Sequence, residues 1–263
     1  MLITLTTDFG LGGRYVAQMK GVLYRKAPGV TVVDLSHAIP PQDVAAGARF
    51  LEQSTTNFPA GTVHLAVIDP GVGSDREIVA VHAHGQFYVG PDNGLFGWTQ
   101  SELTEAVAID LPRLNLKKVS NTFHGRDIMA PVAAWLAKGA KLTDLGEPRQ
   151  ELVRLPESEP PVATEGGLEG RVVEVDHYGN LITNVEAAML GDAPCDERLR
   201  IALGEHETFG LWRTYADQPP QTLLALVGST GHVELAITGG SAATMLGAGV
   251  GEAVRIDWDK SLS

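Results

Sequence analysis

The chain has 263 residues, 44% of them hydrophobic and 20% charged, with a formal net charge of −12. That length and apolar content are enough for one large folded domain or two smaller ones, and they exclude a disordered polymer. The acidic balance and the lack of a dense Lys/Arg cluster speak against nucleic acid as a partner, and the adjacent basic pairs Arg25-Lys26 and Lys117-Lys118 read as solvated surface.

The first half alternates short β-rich runs with helical runs. Residues 3–7 read as a strand. Residues 15–26 read as a helix, with Tyr15, Val16, Met19, Val22 and Leu23 at helical spacing and Pro28-Gly29 as its stop. A strand at 30–35 and a helix at 43–54 follow, with Asp43 placed to cap the helix. Residues 63–68 are almost wholly apolar, as a strand buried on both faces should be. Further strands are expected at 78–82, 86–89 and 106–109, then a helix at 128–138 closed by Gly139. This order predicts an α/β/α sandwich over 1–150 with a mostly parallel sheet. Glu147-Pro148, then the Pro-rich stretch 156–161 and Gly166-Gly167, predict an interdomain linker over 151–167 that interrupts regular structure. Residues 168–263 read as a second, all-β domain, a small barrel or a sandwich. Its strands are expected at 170–176, 181–185, 199–203, 222–227, 233–237 and 253–257, with one short helix at 242–246. Cys195 is the single cysteine, so no internal disulfide is available. No apolar run reaches the roughly 18 residues of a membrane span, and no signal-like segment follows a basic start, so a cytoplasmic protein is expected.

Chemistry is expected beyond the carboxyl ends of parallel strands. Two such ends carry an aspartate followed by turn residues: Thr6-Thr7-Asp8-Phe9-Gly10 and Ile68-Asp69-Pro70-Gly71-Val72-Gly73. Each alone reads as a turn or cap aspartate. Two at equivalent ends point to a site. Gly10-Leu11-Gly12-Gly13 lacks the order of a dinucleotide loop, no phosphate loop with its lysine occurs, and no paired Cys/His set suggests a metal. Ser36-His37 and Ser120 with His124 suggest hydrolase pairs, but the nucleophile elbow is missing. In the second half, Asp176-His177-Tyr178-Gly179-Asn180 reads either as a plain hairpin turn or as an aromatic face and an amide edge offered to a flat ring. Gly228-Ser229-Thr230-Gly231 is a second such turn, leading into Val233-Glu234-Leu235-Ala236.

Together these segments resemble the S-adenosyl-methionine hydroxide adenosyltransferases, relatives of the fluorinases and chlorinases. The resemblance also runs through Leu35-Ser36-His37-Ala38-Ile39-Pro40-Pro41, Gly90-Pro91-Asp92-Asn93-Gly94-Leu95, Thr122-Phe123-His124-Gly125-Arg126-Asp127 and Tyr178-Gly179-Asn180-Leu181-Ile182-Thr183-Asn184. It implies hydrolysis of S-adenosyl-methionine to adenosine and methionine, with no cofactor and no metal. It also implies a homotrimer with active sites between subunits. The family's catalytic Asp-Arg-His triad falls on Asp69, Arg76 and His124, with Asp69 also facing the substrate. Asp8 falls where the ribose is held. Asp176, Tyr178 and Asn180 fall where adenosine and the methionine amine are held, Ser229 at the methionine carboxylate, and Glu234 and Ala236 beside adenine. The implied mechanism is in-line attack on C5′, with Asp69 orienting the water, Arg76 positioning Asp69, and His124 taking or relaying the proton. The halogenating relatives build their halide pocket partly from hydroxyl and aromatic groups at the positions of Asp69 and His124, and the fluorinase carries a long insertion near Asp92 that is missing here. Both differences favour hydrolysis over halide transfer. Non-catalytic adenosine binding is the remaining alternative.

Overall fold

The most apolar run of the first half becomes a strand buried on both faces. In the computed structural model, residues 1–116, 118–156 and 159–258 are described, and the chain divides into two compact units, Met1–Pro156 and Glu157–Ser263. Lys117, half of one basic pair, and Glu157-Ser158 of the expected linker lie outside the described residues.

The first unit holds a seven-stranded sheet of β1 (Leu2–Thr7), β2 (Thr31–Ser36), β3 (Val63–Val67), β4 (Ile78–Ala83), β5 (Gln86–Pro91), β6 (Leu103–Ile109) and β7 (Gly146–Arg149), in the order β2-β1-β3-β5-β4-β6-β7. β1, β2, β3 and β5 are mutually parallel. β4 runs antiparallel to both β5 and β6, and β7 antiparallel to β6, so five of the seven strands share one direction. Val63, Leu65 and Val67 pack on one face with helices α1 (Arg14–Lys26) and α4 (Ala130–Ala137). Ala66 and Ile68 pack on the other face with α2 (Val44–Thr55). A four-residue helix, α3 (Leu111–Leu114), follows β6. Asp43 caps α2 by accepting from Ala46 N at 2.8 Å, as its position predicts.

The structure corrects the expectations for the first half at two places. Glu147-Pro148 does not interrupt regular structure but lies within β7, paired with β6 alone. An edge strand tolerates proline because the missing N–H is not needed by a second neighbour. The helix expected from 128 begins as a π turn, Gly125–Met129, before α4. Pro131 has no N–H for the usual turn, and Ala130 N reaches back to Gly125 O instead.

The second unit is antiparallel. β9 (Gly167–Val175), β10 (Leu181–Glu186), β11 (Arg200–Leu203), β12 (His206–Phe209), β13 (Leu223–Val227), β14 (His232–Ile237) and β15 (Ala253–Asp257) follow the order β12-β11-β15-β9-β10-β14-β13, and β8 (Val162–Thr164) pairs with β9. The two end strands approach each other: Thr208 Oγ1 on β12 donates to Leu223 O on β13 at 3.0 Å. The sheet is therefore a nearly closed barrel around Val172, Leu181, Ile201, Val233, Leu235 and Val254. α5 (Ala242–Leu246) is its one α-helix among the described residues.

His64 on β3 gives the first unit an acid-sensitive point. It is fully buried. Thr4 Oγ1 lies 2.7 Å from its Nδ1, and Gln86 Oε1 lies 3.2 Å from its Nε2. Burial lowers its pKa to about 4. The folded histidine therefore stays neutral while the unfolded one takes up a proton below its ordinary range. Stability is complete above about pH 6.5 and falls as the pH drops toward 4, by about 3 kcal/mol in all. Denaturant unfolding of the His64→Gln variant across that range is expected to show a shallower acid slope than wild type.

Candidate active site

β1 and β3 are adjacent and parallel, with Thr7 opposite Val67. Asp8 and Asp69 therefore leave the same carboxyl edge of the sheet. Pro70 and Gly71 turn the chain, and the following loop braces itself: Val72 N donates to Asp69 O, and Ser74 Oγ donates to Gly71 O at 2.7 Å. Gly73 has φ +82, and a side chain there would meet Asn121 O at 2.7 Å. That glycine lets the loop close against the segment leading to His124.

The result is a buried ion pair. Arg76 Nε donates to Asp69 Oδ1 at 2.8 Å and Nη2 to Oδ2 at 2.5 Å, with side chains only 10% and 5% exposed. The same Nη2 lies 2.9 Å from His124 Nδ1. A guanidinium has no acceptor, so Nδ1 must accept and the ring proton sits on Nε2. Burial, reinforced by the positive charge of Arg76, lowers the pKa of His124. His124 is thus a neutral donor here, not a free base. The π turn places Gly125 against Val67 and Met19, where a side chain would be tight at 3.3 Å and 3.4 Å. That close approach seats His124 near the end of β3.

Asp8 lies at the end of β1, and its Oδ2 accepts from Gln42 N at 2.8 Å. Phe9, Tyr15 and Phe123 pack edge to face or tilted, with ring centroids 5.2–6.0 Å apart, an aromatic cluster that includes the chain neighbours of Asp8 and His124. Asn93 Nδ2 donates to Ile68 O at 2.9 Å and fixes the backbone before Asp69. The sequence reading did not single out these aromatics or Asn93. Their one legible signal is adjacency: Phe9 follows Asp8, Phe123 precedes His124, and Asn93 stands within Gly90-Pro91-Asp92-Asn93-Gly94-Leu95.

In the second unit Asp176 organises its turn. Its carboxylate accepts from Tyr178 N and Asn180 N at 2.8 Å and from Asn180 Nδ2 at 2.9 Å. Gly179 has φ +82, and a side chain there would collide with Ser241 Oγ at 2.0 Å. Asn180 is buried, whereas Tyr178 is 76% exposed. Glu234 faces Ile182 across β10 and β14. It is buried, and Tyr215 donates its hydroxyl to it. Burial raises the pKa of Glu234, the Tyr215 bond opposes the rise and the Asp176 charge adds to it. Ser229 is exposed on the turn between β13 and β14. Ala236 has no free surface and packs with Leu224 and Leu226, so the isolated chain does not present its side chain to a ligand. Tyr215 is a second omission from the sequence reading. Only its place near Trp212, in a loop that is otherwise mostly polar, marks it. Among the described residues, no cluster of three His, Cys, Asp or Glu is arranged to hold a metal ion, and no helix is long and apolar enough to cross a membrane.

Residues 3–146 match the SAM hydroxide adenosyltransferase N-terminal domain and residues 170–255 match the C-terminal domain. The chain belongs to the SAM hydroxide adenosyltransferase family. It is 43% identical to the (R)-S-adenosyl-L-methionine hydrolase of Salinispora arenicola over 97% of both chains. A fluorinase from Actinoplanes sp. is more distant, at 30% identity over 80% of each chain. The crystal structure of an uncharacterized conserved protein from Thermotoga maritima superposes with a TM-score of 0.88 at 31% identity, covering 97% of this chain and all of that one. Within the family, this member carries a buried, arginine-clamped carboxylate at the end of β3.

Proposed function

We propose that this chain hydrolyses S-adenosyl-L-methionine to adenosine and L-methionine, without a bound cofactor. The Asp69 carboxylate held by Arg76 carries the reading. The bidentate clamp uses one lone pair on each oxygen, and a carboxylate has about four such sites, so acceptor capacity remains for an oriented water. A fixed negative charge repels a halide and attracts the hydrogens of water.

In the proposed step, a water or hydroxide oxygen forms the C5′–O bond as the C5′–S bond breaks. The electron pair leaves with sulfur, and methionine departs as a neutral thioether that needs no proton. The proton lost by a water nucleophile goes to Asp69. His124 supports the oxygen by donation from Nε2, because its Nδ1 is already engaged by Arg76. This differs from the expectation that His124 takes or relays the proton. Holding the nucleophile in line supplies several kcal/mol of the barrier reduction. Asp8 holds the ribose. Asp176, Tyr178, Asn180, Ser229 and Glu234 serve the adenine and methionine ends, with Ala236 lying along the same strand as Glu234. We also propose a cytoplasmic homotrimer with sites between subunits, which light scattering of the purified protein checks through its mass.

Incubation with S-adenosyl-methionine, with and without chloride, followed by chromatography, tests the reaction. Adenosine and methionine in equal yield under both conditions is the expected result. A 5′-chloro-5′-deoxyadenosine product that needs chloride would place the chain with the halogenating enzymes. Bound nucleoside without turnover would make it a binding protein.

A further inference from the structure

We infer that His37, held by Asp34 and acting through Thr7, is the positioning residue that sets the Asp8 loop for ribose binding. The inference rests on the reading of Asp8 given above. His37 lies after β2 and is only 6% exposed. Thr7 Oγ1 lies 2.9 Å from its Nδ1, and Asp34 Oδ1 lies 3.0 Å from its Nε2. The Asp34 contact is close but off line, an electrostatic contact more than a well-directed hydrogen bond. Lys20 Nζ holds the other oxygen of Asp34 at 2.6 Å.

An ionised carboxylate only accepts, so a ring proton on Nε2 is favoured beside Asp34. Thr7 Oγ1 and His37 Nδ1 share one hydrogen bond, which ties the ring to the end of β1 whichever atom donates. The Thr7 oxygen keeps lone pairs, and one accepts from Phe9 N at 3.3 Å. Lys20, Asp34, His37, Thr7 and the Phe9 amide therefore form one ordered series that ends beside Asp8.

The segment after His37 grips the same loop twice more. His37 O accepts from Gly10 N at 2.8 Å, where Gly10 has φ +75. Gln42 N, on a backbone with φ +65, donates to Asp8 Oδ2 at 2.8 Å. The loop is thus tied before, at and after Asp8. The described contacts of the Asp8 carboxylate engage Oδ2, which leaves Oδ1 to accept from a hydroxyl. A vicinal diol is the ligand group that such an oriented carboxylate suits. A buried hydrogen bond that serves only packing can be replaced on both sides by apolar groups at little cost. This series instead spans two strands and a helix and converges on one surface carboxylate.

Steady-state kinetics on S-adenosyl-methionine and calorimetric titration with adenosine test the inference. His37→Phe keeps a ring and removes both nitrogens; it is expected to raise KM and the adenosine Kd about tenfold, with kcat within about threefold. His37→Asn returns an acceptor near the Nδ1 position and is expected to recover most of the affinity. Thr7→Val should weaken binding like His37→Phe, whereas Thr7→Ser, which keeps the hydroxyl, should stay within about twofold of wild type. Asp34 is 41% exposed, so Asp34→Asn should leave folding intact and weaken binding in the same direction. The deciding comparison is made in the Asp8→Ala background, where His37→Phe should add less than about twofold, because two residues acting through one contact are not additive. Full additivity there would overturn the inference, as would a fall in kcat with KM unchanged. A wild-type chain that binds adenosine but does not hydrolyse the substrate would sink the proposed reaction and leave the titration to judge His37. A chain that binds no adenosine would defeat both.

Discussion

Asp69→Ala is expected to lower kcat for adenosine release about a thousandfold while adenosine still binds within about threefold of wild type. The leaving group decides what the enzyme must supply. A sulfonium departs as a neutral thioether, so acid catalysis has no task, and the enzyme's contribution lies in placing the nucleophile. At the end of β3 the structure offers one oriented acceptor for that purpose, the carboxylate clamped by Arg76. Its neighbour His124 has Nδ1 turned to the guanidinium and a pKa lowered by burial and by that same charge. Removing Asp69 therefore removes both the acceptor and the group that holds Arg76. Adenosine binding draws on other side chains, so affinity should survive. Equal losses in kcat and affinity would show that Asp69 serves binding instead. Turnover at the wild-type rate would remove it from the mechanism. A companion measurement is the pH profile of kcat. If Asp69 and not His124 takes the proton, His124→Gln should reduce kcat without shifting the acid limb of that profile.

The sequence shows the parts of this site more readily than their meeting. Val63–Val67 could be recognised because a strand buried on both faces has no polar alternation. The aspartates at 8 and 69 stood out because turn residues follow them at strand ends. α5 was legible from its short apolar run between glycine-rich turns. β12 was not, since His206-Glu207-Thr208-Phe209 is a short end strand with three polar residues and no clean alternation. β7 was masked by Pro148, and β8 by the proline-rich stretch before it. The Arg76 to His124 contact spans 48 residues and depends on a glycine at 73 and a π turn at 125–129, features that leave no periodic trace. The family resemblance supplied that pairing, and periodicity alone did not. Tyr215 was missed for a related reason: its partner Glu234 is 19 residues away on another element. The His37 series was half visible. The Ser36-His37 pair drew attention as a hydrolase-like pairing, but its working partners are Thr7 and Asp34, set by the parallel register of β1 and β2.

Arg76→Ala is expected to damage both stability and activity, and the two losses should separate in a second variant. Asp69 is 5% exposed, and removing its partner leaves a carboxylate in the protein with no countercharge. Breaking a buried pair from one side costs about 3–5 kcal/mol. Urea unfolding should show this as a lower midpoint with an unchanged slope. Removing the charge as well, in the Asp69→Ala, Arg76→Ala double variant, should restore most of the lost stability, because neither ion then needs solvation. Activity should not return, because the oriented acceptor is gone. Arg76→Lys discriminates charge from geometry. Lysine keeps the positive charge but lacks the planar fork that spans both carboxylate oxygens and reaches His124. It should therefore recover stability better than it recovers kcat. If Arg76→Lys matched wild type in kcat, the fork would have no catalytic role, and the pair would be a folding element that happens to stand at the edge of the sheet.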